Sequence, residues 1–344
     1  MSFNQYALLR ATSRTFALSI EHLPGHVREA LCLAYLILRI SDFLEDNDYM
    51  PVERKVALLQ LWDHILAGQA SAAELVAALA DRAPAEADAQ AAHQAPEILA
   101  ALGRLPPALQ THVLVHCRNT TQGMARWVAR GPDIPAEGDM DDYMHEVAGR
   151  VGYLVTDIFA WYSGWIRSRR GALMPLAREF GLALQTVNVI RGLRKDYERG
   201  WIFVPESFCA AVDLRRADLF NPAYQLQALQ VLDMLGDKAE RHLHVALAFV
   251  KTLPRWLHGL RLACIWPLLF AVRTLALSRH NVNVLIGEVK MTRAEVQTIV
   301  RDSTLFGWSN SWLDQYVQHL RIAPLIPGAG DPGAGPSASR PSAG

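Results

Sequence analysis

A chain of 344 residues, half of it apolar, is long enough for one large domain or two ordinary ones. Lysine plus arginine and aspartate plus glutamate number 34 each, so the whole chain carries no electrostatic footprint for DNA or RNA, and nucleic acid is excluded as a leading partner. The four cysteines (Cys32, Cys117, Cys209, Cys264) are scattered through apolar runs without a CxxC pair, and read as small buried hydrophobes in a reducing compartment.

The first residues, "MSFNQYALLRATSRTF", lack the apolar core and cleavage site of a signal peptide. Helical periodicity then dominates, in "REALCLAYLILRISDFLED", "PVERKVALLQLWDHILAG", "ALQTHVLVHCRNTTQGMARWVAR" and "PAYQLQALQVLDMLGDKAERHLHVALAFVKTL". The breaks carry Pro and Gly punctuation, and "WIFVP" is the best strand candidate. Residues 67–96, rich in Ala, read as a helical or loop excursion without chemistry. "LACIWPLLFAV", interrupted by Pro267, falls short of the roughly 18 apolar residues of a spanning helix. The expectation is an all-α domain of about ten helices over residues 1–322, cytoplasmic, with peripheral membrane contact at most. Residues 323–344, rich in Pro, Gly, Ser and Ala, are expected to be disordered; their formal GxGxxG (Gly328–Gly333) has neither strand before it nor helix after it.

Two polar rows interrupt apolar helices. In "YLILRISDFLED", Tyr35, Arg39, Asp42 and Asp46 fall at i, i+4, i+7 and i+11, with Glu45 beside them. A local Arg39–Asp42 pair at a solvated helix end is one account of them. The other is a magnesium site, since that ion takes a few carboxylate oxygens together with substrate phosphate. In "LALQTVNVIRGLRKD", Gln185, Asn188, Gly192 and Asp196 form a second stripe with Lys195 beside it. Two such rows facing each other would make a ligand site in a bundle core, whereas the bland account is a polar network with basic residues at a helix C-terminus. His112 and His116 lack a third ligand and read as non-ligands, and "DMDDY" reads as an acidic helix start.

At this point the chain resembles the squalene and phytoene synthase family of head-to-head prenyl transferases. The segments that carry the resemblance are "SRTFALSI", "LAYLILRISDFLEDND", "YMHEVAGRVGYL", "GLALQTVNVIRGLRKDYERGWIFVP" and "LPRWLHGLRLACIWPLLFAVRTL". It implies a single-domain isoprenoid synthase bundle around a central apolar cavity. It also implies Mg2+ held by Asp42, Glu45 and Asp46, diphosphate bound by Arg14, Arg39 and Arg191, Tyr35 lining the cavity, and Tyr143 in proton transfer or cation stabilisation. Gln185 and Asn188 would belong to the second row. The implied substrate is farnesyl diphosphate, joined in pairs to presqualene diphosphate, with NADPH required where the product is squalene. Ala148, Gly149 and Gly152 would permit close helix packing or leave room for a prenyl chain.

One departure stands out. Where the family's second motif has Asp and Glu, this chain has Gly192 and Lys195. Metal binding on that side is lost, or Lys195 binds diphosphate directly, or Asn188, Gly192 and Asp196 form the i, i+4, i+8 triad of class I terpene cyclases. The last two combined are favoured. The triad leaves a one-substrate cyclase, and loss of metal binding a non-catalytic prenyl-diphosphate-binding protein, as alternatives to the head-to-head synthase. The oligomeric state is not readable from the sequence.

Overall fold

The periodic apolar runs fold as helices throughout. The computed structural model describes residues 3–47, 49–80 and 87–322, and no strand occurs among the described residues. The helices are α1 (Gln5–Thr12), α2 (Arg14–Glu21), α3 (Gly25–Asp46), α4 (Val52–Leu66), α5 (Ala72–Ala78), α6 (Ala87–His93), α7 (Ala95–Leu102), α8 (Pro107–Arg130) and α9 (Glu137–Met144). They continue with α10 (Arg150–Tyr162), α11 (Gly164–Ser168), α12 (Arg170–Glu198), α13 (Glu206–Ala210), α14 (Gln225–Thr252), α15 (His258–Ser278), α16 (Arg293–Phe306) and α17 (Asn310–Ile322).

The helices outnumber the expectation because short polar breaks restart them. Ser13 ends α1 and caps α2, its Oγ accepting from the Phe16 amide at 3.2 Å. The Ala-rich excursion holds α5, α6 and part of α7, and α5 opens with a Ser71–Glu74 capping box. "WIFVP" is not a strand but an irregular connection between α12 and α13. The acidic run starts α9 as expected: Asp139 Oδ2 accepts from the Ala136 amide at 3.2 Å. The 323–344 tail and its GxGxxG lie outside the described residues.

One hydrophobic core runs through the molecule as a single domain. α12 packs on α10, α14 and α15, and α3 packs on α4, α6, α7 and α8; α10 touches both α3 and α12. α15 corrects the reading of its sequence. It continues through Pro267 for 21 residues and is long and apolar enough to cross a membrane, yet 83% of its apolar window is buried inside the protein. It is therefore a core helix.

The glycines near Tyr143 serve close packing. A Cβ on Gly152 would lie 2.0 Å from the Ala177 carbonyl oxygen, and one on Gly181 would lie 2.2 Å from that of Ala148. The segment from Ala148 into α10 and α12 thus touch backbone to backbone, which fixes α12 relative to the turn that follows Tyr143. All four cysteines are buried and free.

Candidate active site

On α3 the predicted stripe is real. Tyr35, Arg39 and Asp42 are partly exposed and Asp46 is exposed, while Leu36, Ile37, Ile40, Ser41 and Leu44 are buried. The main partner of Arg39 is Asp88: Nε and Nη2 donate to the two carboxylate oxygens at 2.8 and 2.7 Å, a bidentate pair, while Nη1 reaches Asp42 at the longer 3.3 Å. Asp88 belongs to α6, so the 67–96 stretch is not without chemistry: it supplies the residue that orients Arg39. The Asp42 carboxyl is pushed up to about 6, chiefly by loss of water, with the Asp46 charge adding and Arg39 opposing.

Glu45 lies beside Asp46 on the wall of one small cavity. It is buried, and its Oε1 has no hydrogen-bond partner among the described residues. Burial first, and then the Asp46 and Asp42 charges, hold its carboxyl well above the usual carboxylate range. Lys55 Nζ donates to the Glu45 carbonyl at 2.8 Å, which brings α4 against the end of α3.

On α12, Gln185 is half-buried, Asn188 and Lys195 are exposed, and Gly192 and Asp196 are partly exposed. Lys195 forms no ion pair among the described residues. Arg191 is exposed and pairs with Glu288 at 3.1 Å, and Arg14 is exposed at the start of α2. A Cβ on Gly192 would meet only the Asp196 carboxylate, at 3.4 Å or more, so the missing side chain leaves open room beside Asp196.

The decisive contact comes from a residue the sequence reading passed over. Arg199, just beyond α12, places Nη1 2.7 Å from Asp46 Oδ1 and Nη2 2.6 Å from Asp196 Oδ1. The C-terminal ends of α3 and α12 therefore meet here. Both helix dipoles and two carboxylates concentrate negative charge at this place, and a guanidinium sits between them. Burial, with the Asp46 charge adding, raises the Asp196 carboxyl, although Arg199 draws it down.

Tyr143 lies next to this junction, at the end of α9, where the helix passes into a π-helical turn over His145–Gly149. Its ring stacks on Phe203 at 4.5 Å and meets Trp127 edge-on at 5.6 Å, and Phe203 in turn stacks on Trp201 at 5.3 Å. Burial, reinforced by Glu45, Asp46, Asp196 and Asp42, holds the phenol well above its usual range, so it keeps its proton at neutral pH. Glu45, Asp46, Lys55, Arg199, Trp201 and Phe203 together line a cavity of about 10 Å³, room for one water.

The structure thus gathers Asp42, Glu45, Asp46, Asp196 and Tyr143 at one end of the bundle, while Arg39 pairs with Asp88, Arg191 with Glu288, and Arg14 is exposed on α2. No group of three or more His, Cys, Asp or Glu side chains among the described residues is arranged to hold a metal as it stands. His116 is engaged by Asp157 at 2.8 Å. Of the residues missed, Arg199 had a sequence signal, its i, i+3 spacing from Asp196. Asp88, Lys55 and Phe203 had none, because they reach the site only through tertiary packing.

The profile of the squalene/phytoene synthase family matches residues 9–295 of the chain. The chain belongs to that family. It is a prenyltransferase of the squalene synthase type, with the all-α fold of that group. Squalene synthase from Homo sapiens is 29% identical over 315 residues, covering 92% of this chain and 72% of the human one. The solved complex of TcSQS with the ligand BPH1237 is 25% identical with a TM-score of 0.80, covering 92% of this chain and 90% of that one. Inactive squalene synthase 2 from Arabidopsis thaliana is 27% identical over 306 residues, covering 86% of this chain and 69% of its own.

Proposed function

We propose that the protein condenses two molecules of farnesyl diphosphate head to head, with magnesium, to presqualene diphosphate and, with NADPH, to squalene. The observation that carries this reading is the junction of α3 and α12, where Asp42, Glu45, Asp46 and Asp196 gather beside the protonated Tyr143. Similarity to squalene synthases over nine-tenths of the chain supports it.

The α3 side fits a divalent cation. The buried Glu45 Oε1 lacks a partner among the described residues, and three crowded carboxyls there are of the hard-oxygen type magnesium takes. The α12 side does not fit one as it stands: Gly192 offers no oxygen, and Asp196 is held by Arg199, which also holds Asp46 and would have to release it to a cation. Magnesium held by Asp42, Glu45 and Asp46 would supply Lewis-acid charge to a departing diphosphate. On the facing wall, Arg199 and Lys195 provide fixed positive charge for the same oxygens, and Arg39 is held ready by Asp88. Tyr143, being neutral, can donate its proton or present its ring face to developing positive charge. The Tyr143–Phe203–Trp201 stack walls that place with aromatic rings and leaves a cavity with room for one water.

One observation favours a second reading, a prenyl-diphosphate-binding protein without turnover: Arg199 already neutralises Asp46 and Asp196. Incubation of the pure protein with farnesyl diphosphate and magnesium, with and without NADPH, separates the readings. A product of two joined chains supports the synthase. A cyclised single chain supports catalysis through Asn188, Gly192 and Asp196, and unchanged substrate with measurable binding supports the binding protein.

A further inference from the structure

Three segments that carry no residue of the site come together as one aromatic surface. α11 presents Trp165, whose ring meets Trp256, in the loop between α14 and α15, edge-on at 5.8 Å. That loop is clamped to the turn between α16 and α17 by Arg261, which is fully buried. Its Nη1 donates to the carbonyls of Leu253 and Val250 at 2.7 and 3.0 Å, and its Nη2 to the Gly307 carbonyl at 3.2 Å and Asn310 Oδ1 at 2.9 Å. His258 Nε2 adds a contact to the Thr304 carbonyl at 2.9 Å. The clamp holds Trp256 (70% exposed) next to the segment bearing Leu305 (58%), Phe306 (48%) and Trp308 (53%).

A core does not need these side chains, and single exposed apolar residues are ordinary. Two tryptophans, a phenylalanine and a leucine held together in water by a buried guanidinium are not. The charge around them is one-sided. Residues 158–178, 253–265 and 303–313 contain no Asp or Glu, while Arg167, Arg169 and Arg255 are exposed among them. The Arg169 guanidinium lies over the Trp165 ring at 4.0 Å. The flanking acids are already paired, Asp302 with Arg301 and Asp314 with Lys251.

We propose that this face docks the protein on an anionic lipid bilayer, with Trp256, Phe306 and Trp308 at the headgroup level and Arg167, Arg169 and Arg255 on lipid phosphates. Indole rings favour that interface, amphipathic in the same sense as the rings themselves, and each arginine near an anionic surface contributes about 1 kcal/mol. Charge complementarity selects the occupant: an apolar core with exposed arginines, whose neighbouring carboxylates (Glu21, Glu29, Asp302, Asp314) are each paired with a basic side chain, matches a negatively charged membrane. Docking needs no turnover, so it stands or falls apart from the proposed reaction.

The test uses the full chain and vesicles of phosphatidylcholine, alone or mixed with phosphatidylglycerol. Co-sedimentation with the mixed vesicles only, weakened by salt and accompanied by a blue shift of tryptophan emission, is expected. Trp256→Ala with Trp308→Ala, and separately the charge reversal Arg255→Glu, should each weaken binding at least about tenfold, with the thermal melt unchanged for the surface reversal. No binding of the wild-type chain to anionic vesicles would overturn the proposal. So would undiminished binding by both variants, or sedimentation velocity showing that the face instead joins two copies of the chain.

Discussion

Arg199 stands 2.7 Å from Asp46, joining the last residue of α3 to the end of α12. Because the same guanidinium also holds Asp196 at 2.6 Å, the two acidic walls are bridged by the protein itself. The positive charge between the two walls thus comes from a residue four positions after Lys195, the side chain expected to bind diphosphate.

Arg199→Ala leaves Asp46 and Asp196 facing each other unneutralised. A loss of about 1–3 kcal/mol in the metal-free protein is expected. Mn2+ titration followed by electron paramagnetic resonance should show an additional bound ion in the variant. Equal occupancy in variant and wild type would mean that Arg199 does not hold a cation's place.

Gly192 sits inside a helix, where glycine costs about 1 kcal/mol relative to alanine. Its Cβ position is open except for Asp196, so Gly192→Ala should raise the unfolding free energy by up to about 1 kcal/mol. Gly192→Asp, in contrast, adds a carboxylate beside Asp196; it should lower stability and strengthen Mn2+ binding. Chemical denaturation and the same Mn2+ titration read both.

Gly152→Ala and Gly181→Ala each drive a methyl group into a carbonyl of the facing segment. A destabilisation of about 3 kcal/mol or more is expected, since backbone cannot step aside as a flexible side chain can. Gly138→Ala, where nothing lies within 4 Å, serves as the control and should be near neutral. Thermal melts of the three variants decide it.

Burial raises the Asp157 carboxyl, but hydrogen bonds from His116 and Arg170 outweigh it and bring the net value below the ordinary range. A depressed carboxyl stabilises above its unfolded value, about 4, and that stabilisation is lost as pH falls below it. Asp157→Asn should therefore cost about 3 kcal/mol at neutral pH, with the gap to wild type narrowing only below about pH 4. Urea denaturation across pH measures the gap; a gap constant down to acid pH would remove Asp157 from this role.

The opposite sign applies at Asp42, whose carboxyl is raised to about 6. Protons compete with a cation for its oxygens as pH falls through that value, so Mn2+ affinity should fall by up to about tenfold per pH unit below about 6. Calorimetric titration should also record proton release on binding near pH 6. An affinity independent of pH between neutrality and pH 5 would argue against Asp42 as a ligand.

The sequence by itself determined the helices and their polar stripes. Apolar residues at helical spacing can satisfy themselves only by burying one face, so Tyr35, Arg39, Asp42 and Asp46 had to share the other. The motifs in order along the chain determined the family. Only the tertiary structure decided who partners whom. Spacing along α3 pairs Arg39 with Asp42, but packing of α6 delivers the better-placed Asp88. Spacing along α12 points to Lys195, but the meeting of two helix C-termini draws in Arg199, because negative charge from distant segments sums only once the chain is folded. Gly152 and Gly181 illustrate the same division: the sequence records small residues, and the backbone contact that makes them necessary exists only between packed helices.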